Sequence, residues 1–227
     1  MQGTITNEKY SEHDLIPNIE YCLEQAKEDN SEIPEYALQI PGMSGIKYRH
    51  FINNFIRSLE DPRYLEVGTW KGSTLCAAIG GIPNVNALAV DNFGYGGATW
   101  DEVHDNIDKV KDPSANILVL NKDFKDFDFT AHGKFNVYLY DGGHTQEEHY
   151  DAIVRAVPAL EDIALIIIDD WNNHGDTVSH IKTGTYEGLR DAGLNVLYKF
   201  EVETGVNPPF PSPWHNGYGV FLVEKTK

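Results

Sequence analysis

From Tyr64 onward the chain alternates short, almost continuous apolar runs with amphipathic segments. The runs are Tyr64–Val67, Ala87–Val90, Ile117–Leu120, Asn136–Tyr140 and Ala164–Ile168. Each is four or five residues long, as expected of strands buried on both faces. Between them, Gly72–Ile79, Trp100–Val110 and Glu147–Ala159 carry helical spacing. This alternation implies a parallel sheet with right-handed crossovers, an open α/β architecture. Two later runs, Val196–Phe200 and Tyr218–Val223, are separated by a loop holding Pro208, Pro209, Pro211 and Pro213, with no helix between them. They predict an antiparallel hairpin at the sheet edge, which brings the sheet to seven strands. Ligands in such sheets sit beyond the carboxyl ends of the strands, near the switch in strand order.

The segment before residue 60 is different. Residues 12–29 place Leu15, Ile16, Ile19, Cys22, Leu23 and Ala26 on one helical stripe, and the acidic run Glu20–Asp29 reads as a solvated face. A second helix is expected from Ser44, as N-cap, to Ser58, with Ile46, Phe51, Phe55, Ile56 and Leu59 facing inward. Asp61-Pro62 then breaks it. Residues 1–60 therefore predict an N-terminal helical cap, and residues 61–227 one compact ligand-binding unit.

Charge and cysteine content narrow the partners. The chain has 18 Lys+Arg against 35 Asp+Glu, a formal net charge of −17. Such an excess repels phosphate backbones and anionic membranes, so no nucleic acid and no membrane partner is expected. Cys22 and Cys76 make no disulfide framework and suit a reducing compartment, and neither has the neighbours of a zinc site. The opening MQGTITNEKY lacks the pattern of a signal peptide, and the apolar runs fall far short of the roughly 20 residues of a membrane helix. A cytoplasmic protein is expected. The amphipathic N-terminal helices leave a homo-oligomer open.

Chemistry concentrates at the strand ends. The first run leads into Glu66-Val67-Gly68-Thr69-Trp70-Lys71-Gly72-Ser73, a glycine-containing turn before a helix that suits close backbone approach and an anionic ligand group, or is a plain turn. Asp91 closes the second run, placed either to accept from a ribose diol or to cap the next turn. After the third run, Asp123-Phe124 offers a polar group and an aromatic face to an adenine. The fourth and fifth runs end in Asp141-Gly142-Gly143-His144 and Asp169-Asp170. Three carboxylates at adjacent strand ends raise one another's pKa, and a hard divalent cation relieves that repulsion. The other reading is two unrelated acidic caps. His144 is spaced to act as a general base.

His50, His104, His132, His149 and His180 have no paired acid in the pattern and are expected to be solvated. His174 and His215 lie in segments that overhang the strand ends and are minor candidates. Trp171 and Trp214 either wall a pocket or simply pack.

These motifs resemble those of class I S-adenosylmethionine-dependent methyltransferases. Glu66-x-Gly68-x-x-x-Gly72-Ser73 resembles the family's first motif, Asp91 its ribose-binding acid and Asp123-Phe124 its adenine-side motif. The final hairpin is similar to its reversed seventh strand. The resemblance covers roughly residues 60–225 and implies a three-layer, Rossmann-like methyltransferase fold. It also implies S-adenosylmethionine as cofactor, held by Glu66, Gly68, Thr69, Gly72, Ser73, Asp91, Asp123, Phe124 and Asp141. Within the family, Asp141-Gly-Gly-His144 with Asp169-Asp170 looks like the metal-dependent macrocin-type O-methyltransferases, and more distantly the catechol and caffeoyl-CoA enzymes. By that resemblance Asp141, Asp169 and Asp170 bind Mg²⁺ and His144 is the base, acting on a small hydroxylated acceptor. Gly42-Met43-Ser44-Gly45 either approaches the cofactor's methionine end or starts a helix. A cofactor-binding module without catalysis remains an alternative, as does a nicotinamide-dependent oxidoreductase, which the missing G-x-G-x-x-G disfavours.

Overall fold

The computed structural model describes residues 3–172, 176–205 and 211–226, with residues 176–179 described as backbone only. His174 and residues 206–210 of the Pro-rich loop lie outside the described residues. The five apolar runs become β2 (Arg63–Val67), β3 (Asn86–Asp91), β4 (Asn116–Asn121), β5 (Phe135–Tyr140) and β6 (Leu160–Ile168), after an earlier strand β1 (Thr4–Lys9). The hairpin is β7 (Leu194–Glu203) and β8 (Tyr218–Lys225). Strand order is β1-β7-β8-β6-β5-β2-β3-β4. Strands β2 to β6 are parallel, whereas β8 runs antiparallel to β6, β7 to β8 and β1 to β7. The sheet thus has eight strands rather than seven. The extra one, Thr-Ile-Thr-Asn-Glu-Lys, extends the antiparallel flank as an exposed edge with a single aliphatic residue, Ile5.

Helices cover both faces, because every central strand points apolar residues both ways. Tyr64 on β2, Ala87 and Ala89 on β3 and Leu165 and Ile167 on β6 face one layer. That layer holds α1 (Leu15–Lys27), α2 (Glu35–Gln39), α3 (Ile46–Arg57), α4 (Ser73–Ile79) and α5 (Trp100–Val110). Leu65, Val67, Val90, Ile166 and Ile168 face the other, α6 (Gln146–Ala156) and α7 (Asp176–Asp191). Each fully buried aliphatic side chain contributes about 1.5–3 kcal/mol. The N-terminal helices share one continuous core with the sheet, through Ile16, Ile19, Phe51 and Phe55.

Helix α7 owes its position to small residues. A Cβ on Gly184 would lie 2.2 Å from the Gln146 carbonyl oxygen, and one on Gly188 would lie 2.8 Å from Ile153 Cβ. Its packing on α6 therefore needs both glycines. The start of α3 differs from expectation: Gly45 is the N-cap, and Ser44 instead accepts from Arg49 Nε at 3.0 Å. The first helical N–H groups of α3 are satisfied from outside, Ile46 N donating to the Ser212 carbonyl and Lys47 N to that of Pro213.

Strand order reverses between β2 and β5, the two neighbours from which the chain builds outward in opposite directions. There Asp141 N donates to the Val67 carbonyl at 2.8 Å. Gly68 takes a φ of +85°, and a Cβ on it would stand 1.8 Å from the Asp141 carbonyl oxygen. Only glycine lets the two chain segments pass this closely. No helix among the described residues is long and apolar enough to cross a membrane.

Candidate active site

A cleft of about 830 Å³ opens above this switch point, across the carboxyl ends of β2 to β6. Gly68, Asp91, Asp123, Phe124, Asp141, His144, Asp169 and Asp170 all line it. The motifs spread over the sequence therefore meet in one place.

At one end, Asp91 ties two loops together. Its Oδ2 accepts from Thr69 N and Trp70 N, both at 2.7 Å, and its Oδ1 from Phe93 N at 2.5 Å. The acid thus caps turns and lines the cleft at once. Asp123 caps its own short turn through Lys125 N at 2.9 Å, and Phe124 packs edge-on against Tyr140 beside it.

At the other end the three aspartates have unequal surroundings. Asp141 and Asp169 are within hydrogen-bonding reach of each other. Burial, then the Asp170 charge, pushes Asp141 up to about 7. Burial, then Asp141 and Asp170, drives Asp169 well above the usual carboxylate range. Two carboxylates this close disfavour ionising together. Asp170 is different. Burial pushes its pKa up, but the hydrogen bond and charge of His144 outweigh that and hold it below its ordinary value. His144 Nε2 lies 2.7 Å from Asp170 Oδ2, and Asn216 Nδ2 donates to Asp170 Oδ1 at 2.7 Å. The hydrogen bond to Asp170 raises His144 above the ordinary imidazole value, against its own desolvation.

Asp170 occupies the left-handed region, at φ +57°. The backbone beyond it is bonded to the turn before β8: Trp171 N donates to the Gly217 carbonyl at 3.3 Å and Asn172 N to that of Asn216 at 2.8 Å. Trp171 itself is buried, its Nε1 donating to Glu201 Oε2 at 2.8 Å.

Residues 65–171 match the model of a family described as a methyltransferase domain. No curated protein matches the chain in sequence. Solved structures resemble it in fold. An SAH-bound methyltransferase from Podospora anserina superposes with a TM-score of 0.54 at 12% identity, over 97% of this chain and 91% of that one. A candidate caffeoyl-CoA O-methyltransferase from Staphylococcus aureus gives 0.56 at 14%, over 91% and 99%. TrmN from Thermus thermophilus gives 0.51 at 13%, over 79% of this chain and 48% of that one, so this chain spans about half of its length.

Several expected residues stay away from the cleft. Thr69, Gly72 and Ser73 sit behind its wall, and Gly72 instead caps α4 at φ +78°. Glu66 is fully buried with its side chain on the Tyr64 face of β2, toward the helices rather than the opening. Tyr64 Oη donates to its Oε2 at 2.6 Å, while Oε1 has no partner. Burial raises Glu66 to about 8. His50 and His149 are buried rather than solvated, at 5% and 2% exposure. His50 pairs with Ser31 Oγ at 2.6 Å, and burial first of all pushes His149 down to about 4. Trp171, Trp214 and His215 are packed inside and do not line the cleft.

The cleft also recruits residues that carried no local motif, among them Trp70, Tyr95, Lys122, Glu148 and Asn216. Met43 joins them from the segment before α3, so that segment does reach the cleft.

The chemistry of three carboxylates suits a hard cation, but their placement does not. Among the described residues no group of three or more His, Cys, Asp or Glu side chains is arranged to hold a metal ion. Asp141 and Asp169 turn to each other, and Asp170 turns to His144 and Asn216. In this arrangement the residues do not fit the expected Mg²⁺ site.

Proposed function

We propose that the protein transfers a methyl group from S-adenosylmethionine to a hydroxyl group of a small acceptor. The observation that carries this reading is one continuous cleft with Asp91, Asp123 and Phe124 at one end and the His144–Asp170 pair at the other. The residues suit the cofactor: a carboxylate stands at the end of β3, an aromatic ring after β4, and glycine backbone at the switch point. The SAH-bound fold relative from Podospora anserina supports the same cofactor.

When bound, S-adenosylmethionine supplies an activated methyl group on a sulfonium. The protein's part is to orient, to exclude water and to move one proton. Gly68 and Asp141 set the floor at the strand ends, and Met43 reaches over the cleft from the N-terminal segment. His144, paired with Asp170 through Nε2, is assigned the proton uptake from the acceptor hydroxyl. Asp170 keeps the ring turned and favours the imidazolium that forms.

Divalent-metal dependence, as in macrocin-type enzymes, is a separate proposal that rests on donor chemistry alone. It requires Asp141, Asp169 and Asp170 to leave their present partners. Dialysis against a chelator followed by Mg²⁺ addition tests it: transfer that survives the chelator unchanged removes the proposal.

Calorimetry with S-adenosylhomocysteine, and transfer of tritiated methyl to catechol and to methyl glycosides bearing vicinal diols, test the main reading. Binding with transfer is expected. Binding with no transfer would favour a cofactor-binding module without catalysis, and no binding of either cofactor form overturns the assignment.

A further inference from the structure

We infer that Asn216 is a positioning residue for the proton transfer, holding Asp170 so that its carboxylate faces His144. The inference deepens the methyltransferase reading and rests on it for its functional half. Asn216 had no motif to announce it, since it is delivered by the loop before β8 rather than by a strand end.

The geometry makes the assignment. Asp170 has two carboxylate oxygens and two partners, Asn216 Nδ2 on Oδ1 and His144 Nε2 on Oδ2, each at 2.7 Å. Asn216 is 3% exposed, so water does not readily replace its amide. Its backbone is fixed as well, because its carbonyl accepts from Asn172 N and the next residue's from Trp171 N. Gly217 follows at φ +82°, where a Cβ would meet the Val202 carbonyl oxygen at 2.1 Å. The amide is therefore carried on a rigid corner.

Asp170 needs such a hold. A non-glycine residue at φ +57° is strained, and it persists only where its surroundings over-determine it. The hydrogen bonds of Trp171 and Asn172 to the turn before β8 fix the backbone on one side of that strain. Asn216 fixes the side chain. With the amide removed, the carboxylate can rotate away from His144 and toward Asp141 and Asp169.

The test uses Asn216→Ala and the isosteric Asn216→Asp, which keeps shape but replaces the donor by an acceptor. Crystal structures with S-adenosylhomocysteine and nitrogen NMR of the His144 ring, assigned with His144→Gln, read the geometry without any acceptor. In the parent protein the Nε2 hydrogen points to Asp170. In both variants the His144–Asp170 contact opens beyond hydrogen-bond reach and the tautomer preference is lost. Contact and tautomer unchanged in both variants overturn the inference.

Transfer of tritiated methyl to catechol reads the functional half. Asn216→Ala lowers kcat about 10–100-fold, as the loss of an orienting partner typically does. KM for S-adenosylmethionine stays within about twofold. In an Asp170→Ala background the same substitution costs nothing further, because the proposed route runs through Asp170. Additive losses overturn the positioning role. Should the parent protein transfer no methyl at all, the functional reading fails, while the crystal and NMR results still decide what Asn216 does to Asp170.

Discussion

The carbonyl oxygen of Asp141 occupies the space a side chain on Gly68 would need, 1.8 Å from an ideal Cβ. This contact brings the first loop and the fourth parallel strand end together, and so sets the floor of the cleft. Gly68→Ala must both enter a left-handed conformation and push that carbonyl aside. A loss of about 2–5 kcal/mol is expected from the two effects combined. Chemical denaturation checks it, and S-adenosylhomocysteine affinity should fall with it.

Glu66 makes stability fall toward alkaline pH. Its carboxyl ionises near 4.5 in an unfolded chain and near 8 when buried beside Tyr64. Between those values the folded state holds the extra proton, so its contribution is complete below pH 4.5 and lost as pH rises through 8. The effect is of order 5 kcal/mol at 1.36 kcal/mol per unit. Glu66→Gln keeps an acceptor for Tyr64 and removes the titration. Its melting temperature should exceed the parent's at pH 9 and lose that advantage at pH 5.

His149 acts in the opposite direction. Held neutral between α6 and α7 with neither ring nitrogen bonded, it takes up a proton near pH 4 when folded and near 6.5 when unfolded. Stability from this site is full above pH 6.5 and declines as pH falls toward 4, by about 3 kcal/mol. His149→Phe preserves the edge-on contact with Tyr140 and should flatten the acid limb of a stability–pH curve. An unaltered acid limb would show that other groups produce it.

Asp91 holds Thr69, Trp70 and Phe93 through three backbone hydrogen bonds. Each such bond to a carboxylate contributes about 1.5–3 kcal/mol. Asp91→Ala should therefore loosen both loops and weaken S-adenosylhomocysteine binding at least tenfold by calorimetry, with Asp91→Asn recovering part of the loss.

What could be read from the sequence follows burial. Strands β2, β3, β5 and β6 were legible because both of their faces are covered, so nearly every residue is apolar, and the edge strand β4 because it keeps the apolar run Ile117–Leu120 although half exposed. β1 was not, since an exposed edge needs only Ile5 to be apolar. α7 was hidden by Gly184 and Gly188, which weaken helix propensity but are required by the approach of α6. That Asp91, Asp123, Asp141, His144 and Asp170 would share one cleft was legible because an open sheet gathers its carboxyl ends. Glu66 was misplaced by the same logic: side-chain alternation on β2 turns it toward the helices. Partner choice was out of reach. That Asp170 would take His144 and Asn216, rather than close a cation site, depends on its left-handed φ and on the turn before β8, neither of which has a local sequence signal.

The pairing of Thr4 with Glu203 and of Lys9 with Tyr198 has a temporal consequence. During synthesis β1 emerges before every other described strand, yet its partner is assembled only after the rest of the parallel sheet has left the ribosome. Until then a short, mostly polar ribbon with Ile5 as its one aliphatic residue has no strand to pair with. Closure of that flank should be among the slowest folding events, because it joins the most distant segments of the chain.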